Sequence, residues 1–272
     1  MRHTWTQHKV VWFYVLTFAI SWPSWLVMSK VAGGSASGVL TLLFSTLGTL
    51  GPLLSLWTLE GLSQGAVRVG AILANIRPMD PNRQWFLVAS LAVPIITALG
   101  NLLNYLAGRE SSLRFIQEGP DGLGFWVLPV MLIQFAAGLV TSPLLEEPAW
   151  RGFALGELQG RYGRELGSLL VGVLWWLWHQ PMNMAFGQMP SAYGLAAMLA
   201  LSFLTDSLFN LSGKNVFVAM LVHGSAYTVN VFLYQGQKNL FVLLLMCAIV
   251  VYMRIRERRV DHWSNLASCR AA

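Results

Sequence analysis

The sequence predicts an all-α fold, a polytopic membrane bundle of about eight transmembrane helices. Three observations point there. The chain is 55% hydrophobic and only 11% charged, whereas a soluble domain carries about 25% charged residues. Its apolar residues gather in continuous runs of membrane-spanning length. Its Lys and Arg residues fall mostly on one side of those runs.

Eight apolar segments follow one another along the chain: Val10–Met28, Val39–Leu59, Trp85–Ala107, Phe125–Leu145, Leu166–Phe186, Tyr193–Leu211, Val216–Tyr234 and Leu240–Met253. Most approach the roughly 20 residues that a spanning helix needs. The runs are continuous rather than alternating, which excludes a β-barrel reading. The last run is short, and Arg254 and Arg256 extend it by snorkelling. The first is long for a signal-peptide core and contains Trp22-Pro23-Ser24-Trp25. It is read as a spanning helix, although Ser35-Ala36-Ser37 resembles a small-residue cleavage site.

Orientation follows from the cations. With the N-terminus inside, the cytoplasmic side collects Arg2 and Lys9, then Arg68, Arg77 and Arg83, then Arg151, Arg161 and Arg164, then Lys214, and finally the five arginines from Arg254 to Arg270. Only Lys30, Arg109, Arg114 and Lys238 fall outside. This asymmetry obeys the positive-inside rule and requires an even number of spans, with both termini cytoplasmic. The localisation is therefore an integral, multi-pass membrane protein, in the cytoplasmic membrane if the host is prokaryotic. The lipid bilayer is the first expected partner, and the tail Arg254–Arg259 suits anionic lipid. Nucleic acid is not an expected partner. Val67–Ile76 reads as an amphipathic stretch on the cytoplasmic surface. The loop Arg109–Gly124, with Glu110, Glu118 and Asp121, is the largest feature outside. No soluble domain can be cut out, so residues 1–272 are read as one transmembrane domain. Cys247 and Cys269 form neither a disulfide framework nor a metal motif.

An ionisable group at membrane depth costs at least about 2.5–3.5 kcal/mol, so each one asks for a reason. Glu146, Glu147 and Arg151 end the fourth segment, His179 lies in the fifth, Asp206 in the sixth and His223 in the seventh. Glu147 and Arg151 are four apart and share a helix face. Glu146 points about 100° away, clear of that pair. Two adjacent carboxylates repel when both are charged, which suits one of them to proton transfer. An interfacial helix start, with Pro148 in its first turn, accounts for the same residues. Trp175 and His179 also share a face, which fits either a functional histidine or an aromatic belt. His223, Tyr227 and Asn230 follow helical spacing along one stripe, as packing residues also do.

Depth brings the first two clusters together. If the fourth helix continues past Pro148 to Gly163, the turn lies near Arg164. Glu146 and His179 are then roughly 27 and 23 Å from that turn, at similar depth in an antiparallel pair. If the helix ends at Pro148, the match fails.

These clusters, in this order, resemble the CPBP family of intramembrane proteases, named for CAAX-protease and bacteriocin-processing members and also called ABI. Its Glu-Glu-x-x-x-Arg motif is matched by Glu146, Glu147 and Arg151. Its aromatic-x-x-x-His motif is matched by Trp175 and His179. Its later His-x-x-x-Asn motif is matched by His223 alone, since position 227 is Tyr; Asn230 lies one turn further on the same face. The resemblance implies a protease core at about 125–235, and a hydrolase that cleaves a membrane-tethered or hydrophobic peptide. It casts Glu146 as the water-activating base and His179 as its helper. His223, with Asn230 or Tyr227, would donate to the oxyanion. Glu147 belongs with this catalytic group, and Arg151 and Trp175 support it.

The cofactor is open. Glu146, His179 and His223 would make a three-ligand zinc site, and family naming includes "metalloprotease". A metal-free Glu–His–water mechanism uses the same residues and is the one favoured. Other designs fit poorly: there is no His-Glu-x-x-His helix, only one membrane aspartate, and Ser225 does not face adjacent His223. A non-catalytic protein of the same fold, acting as an immunity or partner-binding factor, is the alternative. A transporter with Asp206 and Glu60 in a proton relay is a weaker one. The charge distribution carries its own test: reporter fusions at Arg2 and at Ala272 are expected to report cytoplasm for both ends. Opposite sides would break the eight-helix topology.

Overall fold

The computed structural model describes residues 8–31, 37–63, 65, 67–80, 82–116, 126–234 and 239–271, with side chains of the last helix described as far as Arg259. Glu118 and Asp121 of the outer loop, Arg2, Lys238 and the Ser35–Ala36 part of the cleavage-like motif lie outside these residues. The elements are helices throughout: α1 (Lys9–Val31), α2 (Ser37–Thr49), α3 (Gly51–Leu62), α4 (Val69–Leu73), α5 (Gln84–Leu106), α6 (Val127–Leu139), α7 (Ser142–Ala149), a π-helical turn (Trp150–Leu155), α8 (Gly156–Tyr162), α9 (Arg164–Ala185), α10 (Ala192–Leu211), α11 (Val216–Phe232) and α12 (Leu240–Ala271). Among the described residues β pairing is limited to one isolated bridge, Ile116 with Leu233.

Among the described residues the eight apolar runs lie mostly on helix, with breaks at Leu50 and at Val140–Thr141 and an end at Phe232, as apolar sequence demands where backbone groups must bond within their own segment. By length and composition, α1, α5 and α10 each suffice to cross a membrane, and five spans result if α2 with α3, and α6 with the stretch after Ser142, each count as one. The protein is thus an all-α integral membrane protein. The amphipathic stretch expected at Val67–Ile76 contains the short helix α4. Glu60, the relay candidate, has a structural task there: its Oε1 accepts from the Val69 N–H at 3.3 Å, at the start of α4.

The chain forms two compact units, Met1–Pro78 with Val140–Leu199, and Met79–Leu139 with Ala200–Ala272. In the first, α1 packs on α2, α3 and α9. The interior is aromatic: Phe13, Trp25, Trp150, Trp175 and Trp178 are almost wholly buried. In the second, α11 packs against α5 and α6, and α12 against α5. Ala89, Val93 and Ile96 of α5 meet Leu204 and Leu208 of α10 and Val218 and Val222 of α11 in an aliphatic core.

The fourth apolar segment does continue past Pro148. Helical structure runs from Ser142 to Tyr162, with the π-helical turn directly after the proline. Pro148 has no N–H for the helical ladder, and π turns are frequent where that ladder is disturbed and at functional sites. The helix ends at Gly163, whose φ of +80° is readily reached only without a Cβ. The chain then reverses into α9. Gln159 Nε2 donates to Ser168 Oγ at 3.0 Å across this hairpin. Gly167 fits where nothing larger can, since a Cβ there would stand 2.6 Å from the Gln159 backbone nitrogen and 2.7 Å from its Cα.

That close approach is testable. Gly167→Leu is expected to separate the hairpin and destabilise the protein by about 1–3 kcal/mol, seen as a lower thermal midpoint in detergent. Gly160→Ala, where a Cβ meets nothing within 4 Å, should leave the midpoint in place. Equal midpoints for both variants would show that the α8–α9 contact does not constrain the fold.

Candidate active site

The polar groups of the first unit gather on α7, the π-helical turn and α9. Glu146, Glu147, Arg151 and His179 are all buried, with Glu147 at 0% and Arg151 at 1% exposure. Carboxylates and a guanidinium in such surroundings are tolerable only when paired and hydrogen-bonded. Both conditions are met by neighbours one helical turn away or on the facing helix.

Glu147 takes Arg151. Arg151 Nη1 donates to Oε1 at 3.0 Å and to Oε2 at 3.1 Å. The pair follows directly from the four-residue spacing, and both side chains are sealed from solvent. Arg151 also lies over the face of Trp175, its Cζ 4.5 Å from the ring centroid, a cation–π contact strengthened by desolvation.

Glu146 points elsewhere and is held by three donors. Ser142 Oγ donates to Oε1. Trp150 Nε1 donates to Oε2 at 3.3 Å and Trp175 Nε1 to the same oxygen at 3.1 Å. Ser142 and Trp150 lie four residues before and after Glu146, so helix geometry stacks all three on one face. Trp175 arrives from α9, 29 residues on. This bond brings the first two motifs together.

His179 lies one turn beyond Trp175. Its Nδ1 is 2.8 Å from the Trp175 carbonyl oxygen. A carbonyl can only accept, so Nδ1 carries a proton. The His179 ring packs edge-on against Trp175 and Trp178, with centroids 5.4 and 4.8 Å away.

The remaining motif residues belong to α11 in the second unit. His223 is half-buried, while Tyr227 and Asn230 are exposed, Tyr227 at 47%. The opposite faces of α11, through Val218, Val222 and Val229, enter the aliphatic core. The stripe His223–Tyr227–Asn230 is therefore the polar edge of an otherwise buried helix. Tyr227 rests near Gly138 of α6, where an added Cβ would meet its ring at 3.7 Å. Ser225 is buried and donates to the Val222 carbonyl at 2.8 Å, a local helix bond that suits a structural serine. Asp206 is wholly buried in this unit.

Trp150 and Ser142 were not singled out from the sequence. Their spacing from Glu146 is legible, but i±4 spacing does not say which side chain turns toward a carboxylate.

The donor chemistry bears on zinc. In the first unit Glu147 pairs with Arg151, and Glu146 accepts three hydrogen bonds. Among the described residues, no three His, Cys, Asp or Glu side chains are grouped as a metal requires. No step below is routed through a metal.

With the geometry in place, comparison with known proteins is informative. Residues 126–232 match the family model described as type II CAAX prenyl endopeptidase Rce1-like. The CAAX prenyl protease 2 of Methanococcus maripaludis is 33% identical over 95 residues, which is 35% of this chain and 33% of that protein. The match thus spans about a third of the length of this curated relative. It bears out the resemblance to CAAX-type intramembrane proteases that the three motifs carry.

The buried ion pair makes a stability prediction. Glu147→Gln removes the charge that balances Arg151 and is expected to cost about 3–5 kcal/mol, read as loss of folded protein from the membrane. Glu147→Gln combined with Arg151→Met removes both charges and should recover most of that loss. A single variant as stable as the parent would show that the pair is not structural.

Proposed function

We propose that the protein is an intramembrane endopeptidase that cleaves a membrane-tethered or hydrophobic peptide with a water activated by Glu146 and His179. The observation that carries this reading is the Trp175–Glu146 hydrogen bond, which joins the Glu-Glu and aromatic-His motifs in one buried polar cluster. The match of residues 126–232 to a prenyl endopeptidase family supports the same class of reaction.

The chemistry follows from the groups in hand. Glu146 takes a proton from water as the water oxygen attacks the scissile carbonyl carbon. His179 helps to hold that water. The carbonyl oxygen becomes an oxyanion, which calls for fixed hydrogen-bond donors. The resemblance to the protease family casts His223, with Asn230 or Tyr227, in that role. The proton then passes from Glu146 to the leaving nitrogen as the C–N bond breaks, and a carboxylic acid and an amine result. Glu147 and Arg151 keep the helix that carries Glu146 in place. The substrate is a peptide presented from the bilayer; in this reading both termini of the protein face the cytoplasm.

The test is cleavage of a lipid-anchored, internally quenched peptide by purified protein in liposomes. Glu146→Gln keeps size and hydrogen bonding but removes the base, and is expected to lower kcat by at least about 10²-fold. His179→Ala should behave alike, and His223→Ala should lower kcat with little change in KM. The Tyr at position 227 favours a second reading, a binding protein of the same fold. Full biological activity of Glu146→Gln in the host would establish that reading in place of the enzyme.

A further inference from the structure

Resting on that reading of Glu146, we infer that Trp150 and Trp175 act as an indole clamp that designates one carboxylate oxygen, Oε1, as the base. A carboxylate offers about four lone-pair sites, two on each oxygen. Both indole N–H groups converge on Oε2, at 3.3 and 3.1 Å. That oxygen is saturated. Among the described residues Oε1 accepts only from the Ser142 hydroxyl, which leaves it one site. Water can deliver its proton there and nowhere else on the group.

The clamp is chemically suited to its place. An indole N–H donates but cannot accept, so it binds the carboxylate without offering a rival proton acceptor. It also brings no charge into apolar surroundings. Its rings are fixed from behind. Tyr14 stacks on Trp150 with centroids 5.7 Å apart, and Phe13 meets it edge-on at 5.4 Å. Both belong to α1, outside the segment that matches the family model. Arg151 covers the face of Trp175. The two tryptophans are positioning residues: they act through Glu146 and are not proposed to touch substrate.

The experiment replaces a single atom. Benzothienylalanine has the shape of tryptophan with sulfur in place of N–H. Introduced at position 150 or 175, it is expected to lower kcat about tenfold or more, the effect of losing a hydrogen bond to a charged group. KM and the thermal midpoint should stay within error. The same substitution at Trp178, a buried neighbour whose Nε1 meets no acceptor among the described residues, should leave kcat unchanged. Full kcat with the isostere at both clamp positions, or an equal loss at position 178, overturns the inference. If one position does not yield folded protein, the other decides. Glu146→Gln in the same assay separates the two ideas: an inactive Glu146→Gln with fully active isosteres removes the clamp alone, whereas an active Glu146→Gln removes the base and the clamp together.

Discussion

Trp175 holds the polar interior of the first unit together through three different parts of one side chain and its backbone. Its N–H binds Glu146, its ring face receives Arg151, and its carbonyl accepts from His179. Each contact answers the same constraint. In a low-dielectric interior, an ionised or polar group without partners costs several kcal/mol. Glu146, Glu147, Arg151 and His179 can share one buried region because each spends its hydrogen-bonding capacity on a defined partner. Trp175 is a partner to three of the four.

That arrangement separates two carboxylates that the chain places side by side. Glu147 is neutralised by a bidentate contact with Arg151, and its charge is spent on holding the helix. Glu146 receives neutral donors only, so its charge is stabilised but not cancelled. The division follows from the 100° between successive residues on a helix, and it turns adjacent identical residues into groups with different chemical tasks.

The aromatic shell behind the site comes from beyond the family-like segment. Phe13, Tyr14 and Trp25 of α1 pack on Trp150 and Trp178. Rings of this size have few rotamers and large contact areas, so they fix an indole N–H in direction better than flexible aliphatic residues do. The second unit uses a different material. Its core is aliphatic, and α11 presents His223, Tyr227 and Asn230 at the margin of that core rather than within it.

Much of this was legible in the sequence because it is local. Hydropathy alone located the eight helical runs, since the bilayer requires continuous apolar helix. Four-residue spacing foretold the Glu147–Arg151 pair, and the motif order at Glu146, Trp175 and His179 foretold the segment that matches a known family. Tertiary structure decided the rest. Whether the helix survives Pro148 depended on a π-helical turn that packing stabilises and that no local propensity favours. The choice of Trp150 and Ser142 as partners of Glu146 depended on rotamers set by neighbouring rings. Gly167 lets α9 close against the helix before it, and Trp175 of α9 reaches Glu146 on that helix. Periodicity records which residues share a face; which of them meet, and through which atom, is settled by contacts between segments far apart in the chain.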